Sequence, residues 1–184
     1  YKTKEIVTQN FSLQKRNVNT YDYLKKLEQT LISSINYQTI SDVPLGTFLS
    51  GGIDSSLITA LLQSQQKDPI SSFTISFPDD NFAKNKFFNE APYAKLVAEH
   101  LGTNHTEIAL TYRDAQKLIP NLSKIYSEPF ADSSQVPTFL VCSEAKRAGL
   151  SVMLSGDGGD ELFGGYNRHK YAPFLYKRFS NFNP

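Results

Sequence analysis

Two stretches of this chain concentrate groups that can do chemistry. The first, Leu49–Ser56, reads L-S-G-G-I-D-S-S. Ser50 and Ser55 offer hydroxyl donors, and Asp54 offers a hard oxygen ligand for a magnesium ion. Gly51 and Gly52 can take dihedrals other residues avoid, and without Cβ atoms they let a phosphate approach the backbone. The second stretch, Ser155–Tyr166, reads S-G-D-G-G-D-E-L-F-G-G-Y. It sets Asp157, Asp160 and Glu161 among glycines. Acids packed that closely are costly unless a positive group neutralises them. A magnesium ion carrying nucleotide phosphates would do so, and would bridge to Asp54. Two simpler readings stand beside these: a plain strand-to-helix turn capped by Ser50 or Asp54, and a solvated acidic turn.

Elements that could position such groups are legible on either side. The apolar run Val43–Leu49 leads into the first stretch as a strand, and a helix leaves it with Ile53, Leu57, Ile58 and Leu61 on one face. A strand running through glycines into a helix N-terminus turns backbone N–H groups and the positive end of the helix dipole toward one point. Ile70–Phe77 and Asn104–Leu110 read as further strands, and Ser151–Leu154 is a strand running straight into the second stretch, itself expected as a glycine loop, Ser155–Gly165. Between them lie a helix after Asn89, with Ala94, Val97, Ala98 and Leu101 on one face and Gly102 as its stop, and one opened by Thr111 and Asp114 as a capping box, running through Leu122 with Ala115, Leu118 and Ile119 inward. A third begins at Pro137, faces Val141, Ala145 and Ala148 inward, and ends at Gly149. Upstream, Thr20 caps a helix with Leu24, Leu27, Leu31 and Ile35 at helical spacing. Residues 1–19 read as a linker or arm, Pro78–Phe88 and Glu128–Val136 as irregular segments, and Tyr166–Pro184 as an aromatic, basic tail. Strands alternating with helices predict an α/β fold, a parallel sheet with helices on both faces in three layers. Ligands of such sheets sit at the carboxyl ends of the strands, so both glycine stretches should open on one edge.

Composition narrows the class. The 184 residues suffice for one domain with a real core, and the net charge of +1 gives no argument for a nucleic-acid or membrane-surface partner. No apolar run is long enough for a membrane span. The single cysteine, Cys142, rules out an internal disulfide and fits a reducing, cytoplasmic setting; it falls in a helical pattern and reads as core. His105 reads as structural, and His100 and His169 have no partners at metal-ligand spacing. Asp132, Ser133 and Ser134 either cap the following helix or line a substrate pocket.

The first stretch lacks the Gly-Lys-Ser/Thr of a Walker A loop. S-G-G-x-D-S resembles instead the PP-loop of ATP pyrophosphatases, which implies the adenine nucleotide alpha hydrolase-like fold and cleavage of ATP between its α and β phosphates. With S-G-D-G-G-D-E-L-F-G-G-Y-N-R, with F-T-I-S-F at Phe73–Phe77, with Tyr93–His105 and with E-P-F-A-D-S-S-Q-V-P-T at Glu128–Thr138, the chain resembles the synthetase domain of bacterial glutamine-dependent asparagine synthetase from Thr20 onward. The resemblance implies ATP and Mg2+ as ligands. It implies that the aspartate side chain is activated as β-aspartyl-AMP and then amidated by ammonia. By position, Ser50, Gly51, Gly52, Asp54 and Ser55 would hold pyrophosphate. Leu49 and Ile75 would border the adenine, and Ser155 and Gly156 would meet the nucleotide. Asp54 and Asp160 would be the magnesium ligands. Asp157 stands where the family carries a glutamate beside the acyl-adenylate, which makes it the catalytic candidate. The family adds an N-terminal glutaminase domain and a C-terminal basic catalytic residue, so the chain reads as an excised piece, nearly inactive alone, of an enzyme that could assemble as a homodimer. A related amidotransferase acting on another carboxylate, such as a β-lactam synthetase or a polysaccharide-tailoring enzyme, and a nucleotide-binding module without turnover remain the alternatives.

Overall fold

The computed structural model of this chain describes residues 19–78, 89–128 and 132–179. The expected linker at 1–19, the irregular segment at 78–88 and the end of the tail fall almost wholly outside them. Contacts divide the chain into two units, Tyr1–Gln38 and Thr39–Pro184. In the first, helix α1 spans Thr20–Gln38. Thr20 is its first helical residue rather than its cap. Asn19 takes that part, its side-chain oxygen accepting from the N–H of Tyr21 at 3.1 Å.

The second unit is built on strands β1 (Leu45–Phe48), β2 (Ser71–Ser76), β3 (Asn104–Ala109) and β4 (Val152–Leu154). All pairings are parallel, in the order β3-β2-β1-β4. Each strand is one to three residues shorter than its apolar run. Helices α2 (Ile53–Gln63) and α3 (Ala91–Leu101) follow β1 and β2; α4 (Tyr112–Leu118), a short 3₁₀ turn and α5 (Leu122–Ile125) follow β3; α6 (Gln135–Arg147) leads into β4, and α7 (Gly159–Phe163) and α8 (Asn167–Phe179) come after it. The helix expected to run through Leu122 is interrupted where Pro120 tightens the chain into the 3₁₀ turn.

Side chains alternate across the strands, so the two sheet faces carry different cores. Phe73, with Phe48, Ile75 and Met153, packs against Val141, Ala145 and Leu150 on the α6 side. On the other side Leu49 packs against Ala94 and Ala98 of α3. The architecture is therefore three-layered α/β, as the alternation of elements predicts. The capping box of Thr111 and Asp114 and the left-handed Gly102 cap, at φ 70°, form as read.

Several expected inward faces differ. Ile53 and Leu57 of α2 are exposed, and its buried positions are Ser55, Thr59, Leu61 and Leu62. Polar residues can sit inside there because Thr59 Oγ1 lies 2.7 Å from Ser55 O and 3.1 Å from Thr47 Oγ1. Ile119 is exposed, and Ala148 is an exposed C-cap. Cys142 lies on the exposed side of α6 rather than in the core, although partial desolvation still pushes its thiol pKa up. Helix α6 begins at Gln135, two residues before Pro137. A proline is tolerated that early because first-turn amides have no intrahelical acceptor. The second glycine stretch contains the helix α7, and the tail contains α8 despite Pro173 within it.

Candidate functional site

The chain turns outward from β1 in both directions: β2 and β3 are added on one side and β4 on the other. The seam between β1 and β4 is thus the topological switch point of the sheet, where a ligand crevice is expected at the carboxyl ends. Both glycine stretches leave from that seam. A cleft of ≈ 900 Å³ opens there, lined by Ser50, Asp54, Ser55, Ser155, Asp157 and Asp160 among others.

The first stretch folds into a loop closed on itself. The N–H of Ser50 donates to Ser55 Oγ at 3.1 Å, and the two hydroxyls meet at 3.0 Å. The N–H of Gly52 donates to Ser50 Oγ at 3.2 Å. Much of the hydrogen-bonding capacity of Ser55 therefore shapes the loop. Neither Ser50 nor Asp54 caps α2: the N-cap is Gly52, with no side-chain bond. The first-turn amides of α2 are left without a capping side chain, as an anion site requires. The two glycines differ in duty. Gly51, at φ 83°, packs so closely on α3 that an added Cβ would lie 2.5 Å from Ala94 N, whereas Gly52 borders the cleft.

The second stretch lies directly on the first. A Cβ on Gly156 would fall 2.7 Å from Ser55 N. Gly156 is thus explained by backbone-to-backbone packing over the first turn of α2. Ser155 donates its hydroxyl to the Asp157 carboxylate at 3.0 Å. Glu161 turns to Tyr166, whose hydroxyl donates to it at 3.0 Å. A backbone amide, that of Glu161 itself, and the phenol hold the Glu161 carboxyl below the usual range, and the carboxylate in turn pushes the phenol up. Leu49 is 1% exposed, its N–H donating to Phe73 O at 2.8 Å, and it reaches the cleft together with Ile75.

Every expected site residue except Gly51 lines this one cleft. Sequence reading passes over Phe48, Phe73, Glu90 and Thr138, which line it too. The aromatic pair falls inside the expected strands, and Glu90 is the N-cap of α3. Of the open trio before α6, no side chain caps the helix: its N-cap is Ser134, which makes no side-chain cap bond and borders the cleft, while the Asp132 carboxylate accepts from the N–H of Ser134 at 2.8 Å, which holds its pKa down.

Asp54, Glu90, Asp157 and Asp160 all border the cleft, and among the described lining residues there is no lysine, arginine or histidine. Among the described residues no group of three metal-ligating side chains stands ready to cage an ion. Magnesium suits such a donor set, since it commonly takes one or two carboxylates and completes its shell with substrate phosphates and water. No helix among the described residues is long and apolar enough to cross a membrane.

A family model described as asparagine synthase matches residues 26–183. A putative glutamine-hydrolyzing asparagine synthetase 2 of Methanocaldococcus jannaschii is 39% identical over 153 residues, which is 81% of this chain and 28% of that protein. Asparagine synthetase 1 of Bacillus subtilis is 33% identical over 156 residues, covering 85% of this chain and 23% of its own length. Asparagine synthetase B of Escherichia coli is 33% identical over 165 residues, with 80% and 28% covered. The chain spans about a quarter of the length of the curated relatives it matches. Among solved structures, an NH3-dependent NAD synthetase from Campylobacter jejuni superposes with a TM-score of 0.43 at 17% identity, covering 70% of this chain and 54% of that one.

Proposed function

The chain belongs to the asparagine synthase family, and from that premise we propose that it is the ATP-binding part of an amide ligase that activates the side-chain carboxylate of aspartate. The observation that carries this reading is the meeting of the two glycine stretches: Gly156 lies on the first turn of α2 beside Asp54, at the sheet's switch point. One triphosphate can touch both stretches there.

The bond changes follow from chemistry at the α-phosphorus. An acceptor carboxylate oxygen bonds to that phosphorus, and the bond to the β-phosphate breaks with its electron pair leaving on pyrophosphate. Ammonia nitrogen then attacks the acyl carbon, and AMP departs with the electrons of the C–O bond. The residues take these parts. Gly52 and the free first-turn amides of α2, with Ser50, hold the departing pyrophosphate, where aligned N–H groups favour added negative charge. Phe48, Phe73 and Ile75 form an apolar wall for the adenine, and Leu49, Ser155 and Gly156 border the nucleotide. Asp54 and Asp160 would hold magnesium, which when bound neutralises phosphate charge and orients the triphosphate. Asp157, fixed by the Ser155 hydroxyl, receives the proton lost from the attacking nitrogen. In the complete enzyme, ammonia would come from a glutaminase domain, in keeping with relatives that are named as glutamine-hydrolyzing.

The test is product analysis with the intact protein, MgATP, ammonia and a panel of carboxylates. AMP and pyrophosphate formed in proportion to asparagine, and only when aspartate is present, support the reading. ADP and phosphate instead, or turnover with a different carboxylate alone, overturn it.

A further inference from the structure

The second stretch carries two glycine pairs, and the members of each pair do different things. Gly158 and Gly164 have φ values of +90° and +76°, with no atom nearer than 3.6 Å to an added Cβ. Left-handed backbone is reason enough for glycine there. Gly159 and Gly165 are not among the positive-φ residues, so their backbones would accept any L residue. What they lack is room. A Cβ on Gly159 would fall onto the Asp54 carboxyl, 2.5 Å from Oδ2 and 2.9 Å from the Asp54 Cβ. A Cβ on Gly165 would fall onto the Asp160 carboxyl, 2.8 Å from its Cγ.

We propose that Gly159 and Gly165 are positioning residues, each holding open the space that fixes the rotamer of one cleft carboxylate, Asp54 and Asp160 respectively. The inference rests on the proposed role of those acids toward magnesium and nucleotide phosphate. The Asp160 carboxyl, and the Cγ and Oδ2 of Asp54, belong to short side chains at an open cleft and can rotate away; the Asp54 Cβ is fixed to its backbone, so beside it α7 must also shift by a few tenths of an ångström. An added methyl therefore misplaces an acid at a small cost to the frame at Gly159 and none at Gly165. Gly156 is the contrast, because its Cβ would meet the backbone nitrogen of Ser55, which cannot rotate aside.

The experiment is a double-mutant cycle in the intact protein, read by MgATP titration with metal-free ATP as a second arm. Gly159→Ala should raise the Kd for MgATP about tenfold, mid-range for residues in direct contact, with little change for metal-free ATP and a melting temperature lowered less than by Gly156→Ala. In an Asp54→Ala background the same substitution should cost MgATP binding nothing further, because alanine keeps the Cβ contact but has no carboxylate to misplace. Gly165→Ala should behave likewise toward Asp160→Ala, whereas Gly156→Ala should lower the melting temperature whether or not Asp54 is present. Binding equal to the parent's, a penalty that persists without the carboxylate, or a Gly159→Ala protein that fails to fold would each overturn the proposal. A second readout needs no nucleotide: the ¹³C signal of the Asp54 carboxyl should move in Gly159→Ala, and that of Asp160 in Gly165→Ala. If the parent fails to bind MgATP, the nucleotide reading falls, while the carboxyl signals still decide the positioning role; unmoved signals overturn it.

Discussion

Replacing Thr59 with valine tests whether the cleft's supporting frame is understood. Thr59 and Thr47 are both 0% exposed. Thr59 Oγ1 sits 2.7 Å from Ser55 O, one turn back on α2, and 3.1 Å from Thr47 Oγ1 on β1. This pair of contacts ties the helix carrying Asp54 and Ser55 to the strand that leads into the loop. Valine keeps the shape and removes the hydroxyl. The Thr47 hydroxyl is then buried without a partner, and Ser55 O loses its side-chain contact. An orphaned buried group costs about 1–3 kcal/mol, so Thr59→Val should destabilise by about 2 kcal/mol and lower the melting temperature by about 4–8 °C at this chain length. Thr47→Val leaves Thr59 bonded to Ser55 O and should cost about 1 kcal/mol. The double variant orphans nothing at position 47, so it should cost about 2 kcal/mol rather than the sum of about 3 kcal/mol. Urea unfolding followed by circular dichroism reads all four proteins. A neutral Thr59→Val, or a double variant as costly as the sum, would refute the coupling.

Further outcomes follow from single features. Gly102→Ala, placed at φ 70° with open space around it, should cost about 1 kcal/mol through backbone strain alone, read by urea unfolding. His105 is held below its ordinary value of 6.5 by burial, with Nδ1 2.9 Å from Ser72 Oγ and Nε2 buried without a partner. Because the folded value is the lower one, the unfolded chain binds more protons near that pH. The contribution is whole above about pH 6.5 and is lost as pH falls below it, and His105→Gln should flatten that part of the stability–pH curve. Asp54→Asn and Asp160→Asn should each weaken MgATP binding about tenfold, and together by less than the product, if they share one ion. Calorimetric titration showing parent-like affinity in either would break the metal assignment.

What the sequence revealed and what it hid have physical causes. The β1–loop–α2 unit and the shared edge were legible because strand, glycines and helix follow one another without interruption. The capping box at Thr111 and the stop at Gly102 depend on neighbours a few residues away, so they too could be read locally. The inward face of α2 could not. Of its polar positions, Ser55 bonds within the loop and Thr59 meets Thr47 on β1, outside the helix, while the apolar Ile53 and Leu57 face out. Helix α7 is short and made of glycine-rich, acidic sequence with no apolar period, and α8 carries Pro173 inside it, so both were hidden. The duties of the glycines were hidden as well. Gly158 and Gly159 are the same letter, and only coordinates separate a left-handed turn from a space kept for a carboxylate.

Hydrogen exchange with and without MgATP tests most directly whether one nucleotide is held by both glycine stretches. Read by mass spectrometry on the intact protein, residues 49–56 and 155–165 should gain protection together, over the same range of MgATP concentration, and neither should respond to ATP without metal. Protection confined to one stretch, or arising in the two at different concentrations, would contradict a single ligand gripped from both sides.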